Sequence, residues 1–242
     1  MSIDYRDIAR KFSYAQHAAR ADQYFSKITI DSSVARKPFA SIDEATEILS
    51  GLGVLLPNLN LFKGVRVLDF GAGTCWLSRE LAKLGASVTA ADVSDRALAL
   101  GQQLIANDPV SASLDVEFVR LIEGRLPFAD GSFDRIVCFD AFHHVPDQEL
   151  AIREFARVLR NGGLAAFHEP GPHHSQAVQS QYEMRTFGVI ESDIRVEELA
   201  GVARSAGFTK IELAAYTSHP ALISLDQFND LLSSAEEASA WT

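Results

Sequence analysis

The chain has 242 residues, of which 47% are hydrophobic and 22% charged, a mixture that fits one globular domain and excludes a disordered chain or a fibrous repeat. Acidic residues outnumber basic ones by 32 to 22, giving a net charge of −10, and an acidic surface repels nucleic acid and anionic lipid. Two cysteines are too few for a disulfide framework. Neither a signal peptide nor an apolar run of about 18 residues is visible, so we expect a cytoplasmic protein with no membrane partner.

Residues 1–60 are predicted to form a helical cap, because apolar side chains recur at helical spacing. From Val65 onward, strands alternate with helices, which predicts a parallel sheet covered on both faces. Strands are predicted at 65–70, 87–91, 116–119, 135–139, 164–168, 208–216 and 221–225, and helices at 77–84, 94–106, 147–159, 196–206 and 226–240. The expected fold is therefore α/β, a Rossmann-like, doubly wound, seven-stranded sheet. We place its core at 61–225, with an insertion at about 172–195 and a C-terminal helix at 226–242.

The loop after the first core strand reads Gly71-Ala72-Gly73. Glycines there let the backbone turn sharply and approach a ligand closely. Asp92 ends the next strand, where a carboxylate can accept hydrogen bonds from ribose hydroxyls. A dinucleotide site has a third glycine at the position of Trp76, so this indole argues against a pyrophosphate ligand. A tight turn that binds nothing is the alternative interpretation of the loop.

Six motifs in order give the loop a more specific meaning. They are the run 67–74, Asp92, the run 126–134, the run 142–147, the run 157–163 and the run 206–208. In this order and spacing they resemble the class I S-adenosylmethionine-dependent methyltransferases, over about residues 60 to 215. Within that family the chain is similar to the small-molecule branch, which holds the ubiquinone-biosynthesis and the sugar or natural-product methyltransferases. The resemblance implies S-adenosyl-L-methionine as cofactor and S-adenosyl-L-homocysteine as product.

The resemblance also implies which residues hold the cofactor. The methionine part would lie along the glycine loop, the ribose at the end of the second strand, the adenine against the third loop, and the ammonium at the carbonyls of the fourth. The implied residues are Asp69, Gly71, Ala72, Gly73, Asp92, Val93, Glu123, Gly124, Phe139, Asp140 and Ala141. The family usually carries its acidic adenine partner one position before Glu123, which is Ile122 here. The loop backbone is then the expected partner of the adenine.

A histidine pair, His143 and His144, follows the fourth strand, beside the expected methyl group. A hydroxyl acceptor needs a base to take its proton, and histidine titrates near neutral pH. In sugar O-methyltransferase relatives, such a pair and an acid after the fifth strand are the proposed catalytic groups, and Glu169 matches that acid. The alternative is that a histidine of the pair points into the core and binds a carbonyl. We predict no metal, although the pair could form a metal site with His168, Glu169, His173 and His174.

The expected function is therefore methyl transfer to a small molecule, at a hydroxyl of a sugar or natural product. Three alternatives remain open: carbon methylation of a quinone-like ring, a cofactor-binding module without catalysis, and, ranked last, a nicotinamide oxidoreductase. The expected partner is the small-molecule acceptor alone, with no nucleic acid, and the chain is expected to be a monomer or a homodimer. The N-terminal cap and the insertion are the candidate lids over the acceptor.

Overall fold

The computed structural model describes residues 2–214 and 222–233. The helices of these ranges are α1 (Tyr5–Lys11), α2 (Tyr14–Phe25), α3 (Ile42–Leu59), α4 (Trp76–Lys83), α5 (Asp95–Asn107), α6 (Gln148–Val158), α7 (Val178–Phe187), α8 (Val196–Ala206) and α9 (Leu225–Ser233). The strands are β1 (Arg66–Phe70), β2 (Ser87–Asp92), β3 (Val116–Arg120), β4 (Phe133–Phe139) and β5 (Leu159–His168). Short 3-10 turns lie at Ser33–Arg36, Phe142–His144 and His174–Gln176. None of the helices in these ranges is long and apolar enough to cross a bilayer.

The strands form one parallel sheet in the order β3-β2-β1-β4-β5. The chain runs outward from β1 to β3, then returns to the other side of β1 with β4. Strand order therefore reverses between β1 and β4, and the crevice beyond their carboxyl ends is where such sheets bind ligands. The parallel, doubly wound architecture predicted from the sequence is confirmed.

The central strands are buried on both faces, as their continuous apolar sequences predict. One face of the sheet packs a cluster that includes Phe142 and Phe155, and the other packs one that includes Leu59 and Leu77. Every residue of β4 is buried. Because the core is close-packed on both sides, it holds the strand ends rigidly, and the loops that follow them have fixed starting points.

Local capping signals in the sequence place several helix ends correctly. Ser94 precedes α5, and its hydroxyl accepts the Ala97 N–H at 3.1 Å. α8 ends at Gly207, whose φ of +107° lies in a region that favours glycine. The predicted C-terminal helix is present as α9, and the remainder of that prediction, 234–242, lies outside the described residues.

The sheet has five strands in the described ranges, not the seven that we predicted. Residues 208–214, predicted as part of a sixth strand, belong to no strand. Phe208 packs partly buried against the core and Ile211 is half-buried, but Lys210, Glu212 and Leu213 are exposed, so neither face is covered along the whole segment. Lys210 pairs with Glu212 at 2.8 Å. Residues 215–221 lie outside the described residues, and 222–224, predicted within a seventh strand, also form no strand. Alternation along the sequence had suggested a buried face that the packing does not provide.

The N-terminal helices dock on the sheet edge that carries the predicted site. In α2, Asp22 accepts the Ser94 hydroxyl at 2.7 Å and lies 3.7 Å from Arg120. Arg20 donates to the Phe187 carbonyl at 3.0 Å, which joins α2 to α7 of the insertion. α3 continues into the core, because a Cβ at its Gly51 would collide with the His168 ring. The cap is thus fixed at both sides of the crevice.

Candidate active site

The glycine loop after β1 lies against the loop after β4. Gly71 has a φ of +75°, and a Cβ there would collide with the side chain of Ala141. Its N–H and that of Ala72 donate to the Ala91 carbonyl at 2.8 and 3.1 Å. Gly73, with a φ of +52°, faces the Phe25 ring of α2. The loop is therefore a tight backbone cradle in which only glycine fits at its first position.

Asp92 is buried and fixed by the loops on either side of it. Its Oδ2 accepts the Gly73 N–H, and its Oδ1 accepts the Ser94 N–H, both at 2.8 Å. Burial raises the pKa of Asp92 above its usual range, although these two N–H donors oppose the shift. Each carboxylate oxygen keeps a further lone pair. Asp92 is thus positioned to accept hydrogen bonds from a vicinal diol, and the half-buried Val93 follows it.

A cavity of about 230 Å³ lies between the end of β1 and the loop after β3. Its lining residues are Tyr14, Phe70, Gly124, Leu126, Val145, Asp147, Leu150 and Ala151. Gly124 belongs to this wall, whereas Glu123 and Ile122 are exposed and are not among its lining residues. Burial and the charge of Asp92 raise the pKa of Tyr14 to about 12. Tyr14 belongs to α2, and nothing local in the sequence shows that this helix reaches the cavity.

The loop after β4 completes the cradle. Phe139 is buried, stacks on His168 at 4.0 Å between ring centroids, and meets Trp76 edge to face at 5.2 Å. Asp140 has a φ of +50°, its N–H donates to the His168 carbonyl, and its carboxylate lies 3.3 Å from His168 Nδ1. Burial opposes the charge of Asp140, but His168 outweighs it and holds the pKa of this carboxyl below its usual value. Ala141 follows, against Gly71.

Glu169 and His143 form a buried pair beside this loop. Glu169 accepts the backbone N–H groups of Ala141, Phe142 and His143 at 3.0, 2.8 and 3.2 Å. Its Oε2 also lies 2.7 Å from His143 Nδ1. Burial raises the pKa of Glu169 to about 7, against the effect of these donors. Burial also lowers the pKa of His143 well below its usual value. Because both carboxylate oxygens already accept N–H groups, we assign the proton of this hydrogen bond to His143 Nδ1.

Glu191, which sequence reasoning missed, lies at the centre of the histidines. Its Oε2 is 2.9 Å from His174 Nε2 and 3.8 Å from His143 Nε2, and its Oε1 is 3.3 Å from His144 Nδ1. It comes from the insertion, where Ser192 donates two hydrogen bonds to the His143 carbonyl. No local pattern marks Glu191, because only this docking brings it to the site.

The four residues that the sequence analysis grouped with the histidine pair as a hypothetical metal set separate in space. His174 and Glu169 join the pair, whereas His168 packs against Phe139 and Gly51, and His173 is exposed. Among the described residues, the cluster whose donor atoms lie close enough to hold an ion is His143, His174 and Glu191. The histidines thus belong to a polar centre that differs from the one suggested by sequence proximity.

The buried carboxyl of Asp69 is expected to make the stability of the protein depend on pH. Burial raises its pKa to about 7 from 3.8, although the Ser78 hydroxyl, which donates at 2.5 Å, opposes the shift. Between these two pH values the native protein keeps a proton that the unfolded chain has lost, so its free energy of unfolding falls as pH rises. We expect Asp69→Asn to gain stability relative to wild type over this window, by up to about 4 kcal/mol. Urea unfolding of both proteins at several pH values across the window measures this difference. Free energies of unfolding that change with pH by the same amount in both proteins would contradict the prediction.

Comparison with known proteins agrees with this geometry. A family model described as a methyltransferase domain matches residues 68–167. A ubiquinone biosynthesis O-methyltransferase from Xanthomonas oryzae pv. oryzae is 37% identical, over 65% of this chain and 77% of that protein. Methyltransferase GfsG from Streptomyces halstedii is 35% identical over 46% of this chain, which spans 40% of that longer protein. An S-adenosylmethionine-dependent methyltransferase from Mesorhizobium loti has the same fold, with a TM-score of 0.60 at 20% identity over 80% of this chain and 94% of that one.

The residues present also fit the cofactor that this family uses. Glycine is required where Gly71 meets Ala141, the buried Asp92 can receive the ribose diol, and the cavity beside the end of β1 can receive the adenine. S-adenosyl-L-methionine is therefore the cofactor. The chain belongs to the class I S-adenosylmethionine-dependent methyltransferases, in their small-molecule branch.

Proposed function

We propose that this protein transfers a methyl group to a hydroxyl of a small molecule, such as a sugar or natural product, with His144 as the general base. The observation that carries the proposal is how the histidine pair is held. His143 Nδ1 faces the Glu169 carboxylate at 2.7 Å, and His144 Nδ1 faces the Ile190 carbonyl at 2.6 Å. Both acceptors favour the tautomer with the proton on Nδ1, which leaves Nε2 as the basic nitrogen of each ring.

His144 is the better base of the two because an acceptor can reach it. Its side chain is 44% exposed, whereas that of His143 is 7% exposed. The two rings lie 4.0 Å apart between centroids, so the His143 ring, which Glu169 holds in place, packs against the His144 ring and fixes its orientation. Glu169 is then a positioning residue, with three backbone N–H groups fixing it in place.

The chemistry then needs little from the protein beyond orientation and proton removal. When bound, S-adenosyl-L-methionine supplies a methyl group on a cationic sulfur, which is already activated for transfer. His144 Nε2 would take the proton of the acceptor hydroxyl, whose oxygen would receive the methyl group in place of the cofactor's sulfur. The cap helix α2 and the insertion helix α7 meet at Tyr24 and Phe187, with 5.4 Å between ring centroids, and this contact helps to exclude water.

The same aromatic contact is the observation that favours carbon methylation of a quinone-like ring as the second candidate. Burial and the charges of Glu183 and Glu191 raise the pKa of Tyr24. A flat phenolic acceptor could pack against the Tyr24 ring, and the same base would ionise its hydroxyl to activate a ring carbon. The two candidates differ in the atom that receives the methyl group.

Thermal stabilisation by S-adenosyl-L-homocysteine, followed by transfer of labelled methyl groups, tests the proposal. The acceptor panel contains nucleotide sugars, polyhydroxylated natural products, catechols and quinone precursors. We expect stabilisation and label on an oxygen atom. Label confined to ring carbon would support the second candidate. Stabilisation without transfer to any acceptor would favour a cofactor-binding module without catalysis, and stabilisation by NAD instead would favour an oxidoreductase.

A further inference from the structure

Three side chains converge on one point at the inner end of the site. The donor atoms of His143, His174 and Glu191 all lie within 4.8 Å of one another. Glu191 Oε2 is 2.9 Å from His174 Nε2 and 3.8 Å from His143 Nε2. Metal bonds of about 2.0–2.1 Å at tetrahedral angles separate two ligand atoms by about 3.3 Å. The two distances to Glu191 lie on either side of that value and the two histidine donors lie within 4.8 Å of each other, so side-chain rotations would bring the three into coordination.

The orientation of His143 matches that of a metal ligand. In metal sites, a coordinating histidine donates its other ring N–H to a carboxylate or carbonyl, which fixes the ring and raises its basicity. His143 Nδ1 meets Glu169 in this way at 2.7 Å, and Glu169 is itself held by three backbone N–H groups. The Nε2 lone pair of His143 is thereby directed away from Glu169 and lies towards Glu191.

Two acceptor atoms of this cluster lack a donor, although His174 Nε2 donates to Glu191 Oε2 at 2.9 Å. With its proton on Nδ1, His143 presents a lone pair to Glu191 Oε2, and two acceptors facing each other repel. Glu191 is 3% exposed, and its Oε1 accepts no hydrogen bond from the described residues. The nearby His144 Nδ1 directs its proton to the Ile190 carbonyl instead. A buried carboxylate oxygen left in this way is costly unless a cation compensates it.

We propose that His143, His174 and Glu191 bind a divalent transition-metal ion of the Zn²⁺ type. Two imidazoles with one carboxylate suit Zn²⁺, Co²⁺ or Fe²⁺, whereas Mg²⁺ and Ca²⁺ prefer oxygen donors. On binding, the ion replaces the proton that His174 Nε2 now directs to Glu191, and that proton leaves to solvent. Three protein ligands leave a coordination position for water or for an acceptor oxygen. The site thus adds a Lewis acid next to the proposed base.

Metal binding to the whole, chelator-treated protein tests this proposal without any methyl-transfer assay. Co²⁺, whose visible absorption reports nitrogen and oxygen ligands, is titrated first, and Zn²⁺ is then titrated by calorimetry and by displacement of Co²⁺. We expect one equivalent to bind, and an excess of Mg²⁺ not to displace it. His174→Ala and Glu191→Gln are each expected to weaken binding at least about 100-fold, and Glu169→Gln about 10- to 100-fold through the orientation of His143.

His173→Ala is the matched control, because His173 is adjacent in sequence but exposed and outside the cluster. It should bind Co²⁺ as the wild type does. The proposal is overturned if the wild type binds no stoichiometric Co²⁺ or Zn²⁺, if Glu191→Gln binds as tightly as wild type, or if His173→Ala loses as much as His174→Ala. Stabilisation by S-adenosyl-L-homocysteine shows that each variant is folded. Since that readout is separate, failure of the metal site is distinguishable from failure of the proposed methyl transfer.

Discussion

Replacing Asp92 with alanine is expected to weaken S-adenosyl-L-homocysteine binding by about 100-fold or more. Hydrogen bonds to a charged group contribute about 1.5–3 kcal/mol each. The variant would lose the hydrogen bonds from two ribose hydroxyls, so about 3 kcal/mol is a low estimate of the lost binding free energy. At 1.4 kcal/mol for each factor of ten, this gives the stated change. The variant also frees the Gly73 and Ser94 N–H groups, which join the two loops. Calorimetry with the product cofactor measures the effect.

Asp95→Ala is the control for this prediction. Asp95 stands three residues further on, at the start of α5, with its side chain 57% exposed and paired with Arg120 at 2.6 Å. Its loss should leave cofactor affinity within about twofold of wild type, since exposed ion pairs contribute little. Asp92→Asn keeps the shape of the carboxylate, so it tests the same role of Asp92 if the alanine variant does not fold. Equal affinities for Asp92→Asn, Asp92→Ala and Asp95→Ala would show that Asp92 does not hold the ribose.

Replacing His144 with alanine is expected to lower kcat by about 10²- to 10⁴-fold, the usual contribution of a general base. Cofactor affinity should change little, because the ring contacts Ile190 and Glu191 rather than the glycine loop. The loss should be larger for an aliphatic alcohol than for a more acidic phenol, since the phenol needs less help to lose its proton. Single-turnover rates with both kinds of acceptor measure the difference.

His173→Ala serves here too, as a histidine of the same segment outside the polar centre. It should keep the wild-type kcat. An unchanged kcat for His144→Ala with every acceptor would remove the base role from this residue. A loss that is equal for alcohol and phenol would instead indicate that His144 orients the acceptor without taking its proton.

The place of the candidate cofactor residues in the fold was predictable, because each lies at the end of a strand or just after it. Gly71, Asp92 and Ala141 are far apart along the chain, but parallel strands bring their carboxyl ends to one edge. Knowing that strands alternate with helices was therefore enough to bring these loops together. The strand count was less predictable, because 208–214 alternates in sequence, yet beyond the partly buried Phe208 and Ile211 its side chains are exposed.

The polar half of the site depends on contacts between distant segments. Tyr14 reaches the cavity beside the end of β1 because Asp22 anchors α2 to Ser94 and Arg120. Glu191 reaches the histidines only because Ser192 binds the His143 carbonyl. Each residue lies in a cap or an insertion whose place is set by side-chain docking, and docking leaves no periodic pattern in the sequence.

The sequence by itself thus determined the fold class, the family and the sheet edge that carries the candidate cofactor residues, since these follow from local periodicity, ordered motifs and loops attached to neighbouring strands. Only the tertiary structure decided the surroundings of the histidine pair. It separated His168 and His173 from the cluster, brought Glu191 into it, and made Glu169 the partner of His143. The physical reason is that a buried carboxylate persists only where donors or cations surround it, and those partners come from several elements at once.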